Sequence, residues 1–219
     1  MPRSARIVLP GLPHHVTQRG NRRQSVFFND QDFRLNLKLL QSFTQRNKTT
    51  ILGWCLMPNH VHLVLIPREE DGLRATVAPL HRTYAEEINR REGWSGHLWQ
   101  ERFSSVPLDE SHTLAALRYV DLNPLRTGLV TSPQAYPWSS ARAHLENRTD
   151  GLVDADAIAA LDVDWRGLLA SALTDEELER FRLHEKNCLP LGSDLFIDLH
   201  ESQLGRTLRP QRPGPKRVE

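Results

Sequence analysis

A ten-residue segment, residues 57–66, reads MPNHVHLVLI and joins a turn signal to an apolar run. The Pro-Asn pair predicts a turn, and the β-branched residues after it predict a strand. Because side chains two apart in a strand lie on the same face, His60 and His62 stand side by side. Apart from these histidines both faces are apolar, as is typical of a central strand. The segment therefore predicts a central strand with an imidazole pair near its start.

A pair of imidazoles on one face makes half of a site for a metal ion, although it is equally compatible with packed histidines satisfied by neighbours. About sixty residues downstream, Tyr119 and Asn123 are spaced i, i+4 and share one helix face. If that helix crosses the hairpin, two imidazoles, an amide oxygen and a phenol converge. Taken singly, each residue has an ordinary alternative: a core tyrosine, or an asparagine that stops a helix before proline.

Strand and helix patterns alternate along the first two-thirds of the chain. The predicted elements are, in order, a strand at 13–18, a helix at 30–47, a hairpin at 49–57 and 60–66, a helix at 73–91, a strand at 104–108 and a helix from 111. The last helix should end before Pro124, because the residue that precedes a proline disfavours the α conformation. This order predicts an α+β fold with an antiparallel sheet and helices over one face.

A polar stretch at 147–151 suggests a boundary, and short helical patterns follow it. We therefore divide the chain into a first unit at 1–147, a helical C-terminal region at 148–205 and a basic, flexible tail at 206–219. The tail is too rich in proline and glycine to fold alone. Thr174 and Glu177 have the spacing of a capping box and predict where one of the C-terminal helices begins.

Composition excludes several classes of protein. Cys55 and Cys188 are the only cysteines, so a disulfide framework or a cysteine-based zinc site is not expected. No apolar run approaches the length of a membrane span, and the first residues lack the apolar core of a signal peptide. We expect a cytoplasmic protein with reduced thiols.

The charge is unevenly distributed although the net charge is only +1. Residues 1–23 contain five arginines and no acidic residue, and residues 205–219 contain five basic residues against one glutamate. Basic ends on an acidic body indicate an anionic polymer as partner. The alternative, that these are solvated tails, remains open for the C-terminal end.

An ordered set of motifs resembles one known family. Residues 57–63 are similar to the HUH motif, histidine–hydrophobic–histidine, of single-tyrosine transposases of the IS200 type. Residues 119–126, YVDLNPLR, are similar to the tyrosine helix of the REP-associated branch of that family. Order and spacing agree over residues 1–145. The further matching segments are 15–22 (HVTQRGNR), 99–103 (WQERF), 128–130 (GLV) and 136–140 (YPWSS).

The resemblance implies a ferredoxin-like fold and a catalytic domain at 1–147. It implies that His60, His62 and Asn123 hold a divalent cation, and that Tyr119 attacks a phosphodiester of single-stranded DNA. The product would be a 5′-phosphotyrosine link that a second 3′-hydroxyl can reverse. Members of the family recognise imperfect, REP-like hairpins beside a short single-stranded sequence. A monomer and a homodimer both remain open.

Ligand chemistry and the resemblance disagree on the metal ion. Two imidazoles and an amide favour zinc or another borderline metal. The resemblance implies Mg²⁺ or Mn²⁺, with the DNA supplying hard oxygen ligands, and we adopt this interpretation.

The candidate DNA contacts are arginines, because guanidinium groups match the geometry of phosphate oxygens. Each is also a possible ordinary surface residue, and Trp99 and Phe103, which could stack on unpaired bases, also suit the core. The candidates are Arg19, Arg22, Arg23, Arg102 and Arg126.

Two other functions fit the same motifs. The first is a catalytically inactive nucleic-acid-binding regulator with the same fold, which would have no need of a nucleophile. The second is a metal-dependent phosphohydrolase that uses water, in which Tyr119 is purely structural.

Overall fold

The computed structural model of the protein describes residues 5–210. The strands are β1 (His14–Arg19), β2 (Thr50–Met57), β3 (His60–Ile66) and β4 (Ser104–Pro107). The helices are α1 (Asp30–Arg46), α2 (Gly72–Glu92), α3 (Glu110–Arg126), α4 (Ala141–Glu146), α5 (Ala155–Ala159), α6 (Trp165–Ala170), α7 (Asp175–Asn187) and α8 (Asp194–Leu204). Within the described residues, no helix is long and apolar enough to cross a bilayer.

The four strands form one sheet in the order β2-β3-β1-β4, and each neighbouring pair is antiparallel. From β1 to β4 the elements follow the β-α-β-β-α-β order of ferredoxin-like folds. The predicted α+β class is therefore confirmed.

The histidine strand β3 lies between β2 and β1. His62 is opposite Cys55 on one side and Thr17 on the other. Residues directly opposite in a sheet share a face, so parts of β1, β2 and β3 form one surface around the histidine pair. The predicted hairpin and central strand are both confirmed.

Several predicted helix boundaries are confirmed by their caps. The side chain of Asn29 accepts hydrogen bonds from the first turn of α1. Gly93 ends α2 in the left-handed conformation, with φ +66°, which glycine adopts without strain. Thr174 and Glu177 form the predicted capping box of α7.

The predicted end of α3 was wrong. The helix continues through Pro124 to Arg126. Proline in the last turn removes only one intrahelical hydrogen bond, and the backbone N–H of Thr127 still bonds the carbonyl of Asn123 at 3.1 Å. Pro124 is itself buried, as are Val120 and Leu122 in the turn before it, and this packing holds the end of the helix in place. Asn123 is consequently an interior helical residue.

The C-terminal region packs against the sheet unit. The backbone N–H of Asp154 bonds the carbonyl of Ile51, and Leu191 bridges to Leu108. Of the predicted basic tail, residues 206–210 are described, and Leu208 there is buried beside Ile7, Leu9 and Ile197. Residues 211–219 lie outside the described residues.

A buried polar network ties α3 to α4 and β2. Asp121 of α3 is fully buried and accepts hydrogen bonds from Ser140 Oγ at 2.9 Å and from His144 Nδ1 at 2.6 Å. The other nitrogen of His144 lies 2.9 Å from the carbonyl oxygen of Leu52. Both ring nitrogens therefore face acceptors, an arrangement that an imidazolium satisfies completely.

The pKa of His144 reflects this environment. Burial opposes the charged form, but the charge and hydrogen bond of Asp121, with the Leu52 carbonyl, outweigh it, so the pKa is raised above its ordinary value. A histidine whose folded pKa is raised stabilises the fold fully below its unfolded pKa of about 6.5. That contribution is lost as pH rises through the folded value.

We predict that Asp121→Asn lowers the free energy of unfolding at pH 6 by about 3–5 kcal/mol, because it leaves a buried imidazolium without its counter-charge. Urea unfolding followed by tryptophan fluorescence measures this loss. The difference from wild type should shrink as pH rises above the folded pKa of His144. Asp156→Asn, an exposed control, should change stability by less than about 0.5 kcal/mol. Equal losses in the free energy of unfolding for the two substitutions would contradict a stabilising role of the ion pair between Asp121 and His144.

Candidate active site

Tyr119 of α3 lies directly against the histidine pair. α3 packs closely on the histidine-bearing face because Gly53 has no side chain; a Cβ there would lie 2.6 Å from Leu117 Cδ2. The rings of Tyr119 and His62 meet edge to face, with centroids 5.3 Å apart and an interplanar angle of 85°. The phenol and the imidazoles, distant in sequence, are brought together within one chain.

His60 is oriented by the turn residue before it. Its Nδ1 lies 2.6 Å from Asn59 Oδ1, and Asn59 Nδ2 donates to the backbone carbonyl of Arg23 at 3.0 Å. That second bond fixes the orientation of the amide, so its oxygen faces the ring. Because an amide oxygen only accepts, His60 carries its hydrogen on Nδ1 and has its lone pair on Nε2.

His62 is almost fully buried, with 1% of its surface exposed. Its Nδ1 lies 3.0 Å from Nε2 of His15, and the two rings are stacked. Its Nε2 is buried without a hydrogen-bond partner among the described residues. A buried ring nitrogen without a hydrogen-bond partner, beside a second histidine, suits a metal ligand.

The imidazoles of the site are neutral near pH 7. Burial lowers the pKa of His60 to about 3, and the charges of Arg19 and Arg126 act in the same direction. Burial, with the neighbouring histidines, also sets the pKa of His62 well below its usual range, and burial lowers that of His15 to about 3. Neutral rings have the lone pairs that a metal ion needs.

Asn123 lies one turn beyond Tyr119 on the same helix and is fully buried. Its Oδ1 accepts a hydrogen bond of 2.9 Å from Arg126 Nη2, whereas its Nδ2 has no hydrogen-bond partner among the described residues. The Arg126 guanidinium also lies 5.5 Å from the centroid of the Tyr119 ring. Arg126 therefore joins the predicted amide ligand and the phenol in one cluster.

Helix α7 covers the site from the C-terminal region. Phe181 stacks on the Tyr119 ring with centroids 5.0 Å apart. One turn on, Glu185 Oε1 lies 3.9 Å from His15 Nδ1 and 3.7 Å from His62 Nδ1. Tyr119 is left 4% exposed. The phenol consequently lies in a dry pocket.

This pocket changes the acidity of its groups. Burial raises the pKa of Tyr119 to about 12, and the carboxyl of Glu185 adds to the rise although Arg126, Arg182 and Arg19 oppose it. Burial likewise raises the pKa of Glu185 to about 7 against the same three arginines. Tyr119 is thus a protonated, weak nucleophile until something stabilises its anion.

The donor set fits a divalent cation. His60 presents the lone pair of Nε2, His62 has an orphaned Nε2, and Asn123 supplies an amide oxygen whose second lone pair is not used by Arg126. Among the described residues, His15, His62 and Glu185 form a second group, with potential ligand atoms within 4.8 Å of one another. The carboxyl of Glu185 thus places a hard oxygen beside the imidazoles, a type of donor that the predicted set lacked.

The five candidate arginines lie in different parts of the structure. Arg126 is in the site, and Arg19 lies opposite His60 in the sheet, close enough to lower its pKa. Arg22 and Arg23 are exposed just after β1, with φ values of 54° and 61°. Arg102 lines a cleft that extends from Glu185 and also includes Arg6 and Arg206.

Trp99 and Phe103 belong to the core. Trp99 is 8% exposed and its Nε1 donates to the carbonyl of His81 at 2.9 Å. Phe103 is 7% exposed and lies beneath the Arg6 guanidinium, 3.6 Å from the ring centroid. These positions support the core interpretation over base stacking.

The structure adds four residues that sequence reasoning did not assign to the site. The signals for Asn59 and His15 were present, because both lie in the quoted motifs, but their partners were not evident. Phe181 and Glu185 gave no signal, since they reach the site from a helix outside the motif-bearing region.

Comparisons with known proteins identify the family that this chain resembles. The sequence model of the family described as "Transposase IS200 like" matches residues 10–123, just over half of the chain. A curated relative from Haemophilus influenzae, named "Putative REP-associated tyrosine transposase", is 27% identical over 97 residues, which are 39% of this chain and 55% of the relative. The match thus spans about half the length of that relative.

A solved structure shares the fold. It is described as "Structure of the REP associates tyrosine transposase bound to a REP hairpin", and it superposes with a TM-score of 0.54 at 19% identity. The superposition covers 71% of this chain and 90% of the other. At this identity the likeness concerns the fold.

We predict that Phe181→Ala increases the rate at which tetranitromethane nitrates Tyr119, because the substitution removes the ring that covers the phenol. Mass spectrometry of proteolytic peptides gives the rate for each tyrosine. Leu183→Ala, on the exposed side of the same helix, serves as the control and should leave the rate unchanged. Equal rates in both variants and wild type would show that Phe181 does not limit access.

Proposed function

The chain belongs to the IS200-like transposase family, and we propose that it cleaves and rejoins single-stranded DNA through a covalent 5′-phosphotyrosine intermediate. The observation that carries this proposal is the contact between the Tyr119 ring and the histidine pair, at 5.3 Å from His62. A protein that only binds nucleic acid has no need of a phenol held against two metal-competent imidazoles. The solved relative bound to a REP hairpin supports a hairpin-forming strand as the substrate class.

In the proposed reaction the Tyr119 phenol gives up its proton and its oxygen bonds to the phosphorus of the scissile phosphodiester. The bond to the 3′ oxygen breaks, and that oxygen leaves and is protonated. The energy of the phosphoester is retained in the link to Tyr119, so another 3′-hydroxyl can reverse the step and join strands. His60 and His62, through Nε2, and Asn123, through Oδ1, are the residues that would hold Mg²⁺ or Mn²⁺. When bound, this cation supplies charge neutralisation at the phosphate.

The chain's own groups prepare the nucleophile. Arg126 lies over the Tyr119 ring and, with Arg19, lowers the pKa of the phenol against the effect of burial. A guanidinium close to the phenol ring favours the phenolate as it forms. Arg126 also holds the Asn123 amide, so it orients a proposed ligand and stabilises the nucleophile at once.

The side chain of Phe181 has to move for the reaction to occur. Phe181 occupies the space over the Tyr119 ring, and a phosphodiester cannot reach the phenol while it remains there. We therefore assign residues 1–147 as the catalytic domain and 148–205 as a region that covers its site. The contact between Tyr119 and His62 forms within one chain, which supports a monomer as the acting species.

The proposed DNA path begins at the exposed turn after β1. Arg22 and Arg23 both adopt left-handed backbone conformations, which cost energy for residues other than glycine. This strained turn exposes two adjacent arginines close to Asn59 and the histidines. There they can bind the phosphates of a DNA strand that leads to the site. We assign Arg19 and Arg102 to the same proposed path.

We predict that wild type incubated with Mn²⁺ and a labelled single strand bearing a hairpin forms an adduct that survives denaturing electrophoresis. Tyr119→Phe should abolish both adduct and cleavage. Tyr136→Phe, which removes another buried phenol away from the histidines, should retain them. Cleavage without an adduct would favour the hydrolase, and retarded migration in native gels without cleavage would favour the inactive binder.

We predict that Arg22→Ala and Arg23→Ala each weaken binding of single-stranded DNA and reduce the slope of log affinity against log salt by about one. The loss should be similar for different sequences, because phosphate contacts carry no sequence information. Fluorescence anisotropy at several salt concentrations measures both quantities. The matched control is Arg166→Ala, which changes an exposed arginine of α6. If this substitution reduced the salt slope as much as Arg22→Ala and Arg23→Ala, the proposed DNA path would be wrong.

A further inference from the structure

The two site histidines are held by different partners. His60 is oriented by the adjacent Asn59, whereas His62 contacts His15, a residue that the proposed reaction does not use. We propose that His15 is a positioning residue that presents Nε2 of His62 to the cation, and that Glu185 of α7 orients His15 in turn. This inference rests on the proposed function, because the cation site that it serves belongs to that proposal.

The hydrogen bond between His15 Nε2 and His62 Nδ1 allows two arrangements. Either His62 Nδ1–H donates to His15, or His15 Nε2–H donates to His62. In the second arrangement a neutral His62 carries no hydrogen on Nδ1 and must carry it on Nε2, where it cannot bind a metal ion. The choice of tautomer therefore decides whether His62 can bind the cation through Nε2.

Glu185 selects between the two arrangements. Its Oε1 lies 3.9 Å from Nδ1 of His15 and 3.7 Å from Nδ1 of His62. These distances are beyond a hydrogen bond but short enough for a strong electrostatic effect in a buried site. The second oxygen can hold the proton when the carboxyl is neutral, so Oε1 favours a hydrogen on each Nδ1 in either state.

One arrangement agrees with the positions of all three residues. With hydrogens on both Nδ1 atoms, His15 Nε2 has a lone pair and accepts from His62, and His62 Nε2 has the lone pair that points to no protein donor. Glu185 Oε1, which is otherwise buried without a hydrogen-bond partner among the described residues, then faces two N–H groups. The order Glu185, His15, His62, cation repeats the way that carboxylates orient metal-binding histidines in many proteins.

His15 is held rigidly enough for this role. Its backbone lies in β1, opposite Val64 on one side and Val106 on the other, so it is fixed by strands on both flanks. Its ring is further enclosed by edge contacts with Tyr119 and Phe181. A positioning group on a central strand places the ligand more accurately than one on a loop.

The first test uses the unaltered protein without metal or DNA. Long-range ¹H–¹⁵N spectra of the imidazole rings, assigned with single histidine variants, report which nitrogen carries the hydrogen. We expect it on Nδ1 in both His15 and His62. A hydrogen on Nε2 of His62 would overturn the proposal and would leave Nδ1, on the side of His15 and Glu185, as the only ligand atom of that ring.

The second test compares Mn²⁺ affinity, measured by electron paramagnetic resonance of free Mn²⁺ without DNA. His15→Phe removes the acceptor and should weaken binding on the order of 10- to 100-fold. His15→Gln retains an acceptor oxygen and should weaken it less. In the ¹H–¹⁵N spectra of the first test, Glu185→Ala should allow His15 to carry its hydrogen on either ring nitrogen. Glu179→Ala, which changes an exposed residue of the same helix, should not. Equal affinities of the folded Phe and Gln variants would overturn the role of the acceptor.

These readouts separate the inference from the proposed function. If wild type binds Mn²⁺ with the expected tautomers but forms no adduct with DNA, the transposase chemistry fails and the positioning role stands. If wild type forms the adduct and His62 has its hydrogen on Nε2, the positioning role fails and the chemistry stands.

Discussion

The position of the phenol depends on a buried charge on the opposite side of its helix. Asp121 lies two residues from Tyr119, which in an α-helix is about 200° around the axis. Its bonds to Ser140 and His144 anchor one side of α3 to α4 and to β2. The other side, with Tyr119 and Asn123, is thereby directed at the histidines. A rotation of this helix by one residue would separate the proposed nucleophile from the proposed metal ligands.

Local signals in the sequence were sufficient to predict the hairpin and the helix face that form the site. The turn at residues 58–59 set the register of the hairpin, and two-residue periodicity put His60 and His62 on one face. The i, i+4 spacing put Tyr119 and Asn123 on one side of α3. The predicted end of α3 before Pro124 was wrong because it considered only the backbone preference of the residue before a proline and not the burial of the turn. Packing of the last turn outweighs the loss of one hydrogen bond.

The remaining parts of the site depend on contacts between distant segments. Asn59 was recognisable as a turn residue, but its role in fixing the His60 tautomer requires the bond to the Arg23 carbonyl. His15 lies in a quoted motif, yet only the sheet order places it beside His62. Glu185 belongs to a helix whose own pattern indicates a capped, polar surface element. No local rule could bring it to a pair of imidazoles more than a hundred residues earlier.

The covering of the site by α7 has a consequence for the order of synthesis. The sheet, α3 and the Asp121 clamp are all encoded before residue 148, whereas Phe181 and Glu185 follow much later. A chain still on the ribosome that has folded through α4 therefore has an uncovered phenol and a His15 without its carboxyl neighbour. Once residues 175–187 have emerged and packed on the site, they enclose the proposed nucleophile, so the newly made chain passes from an open to a closed state.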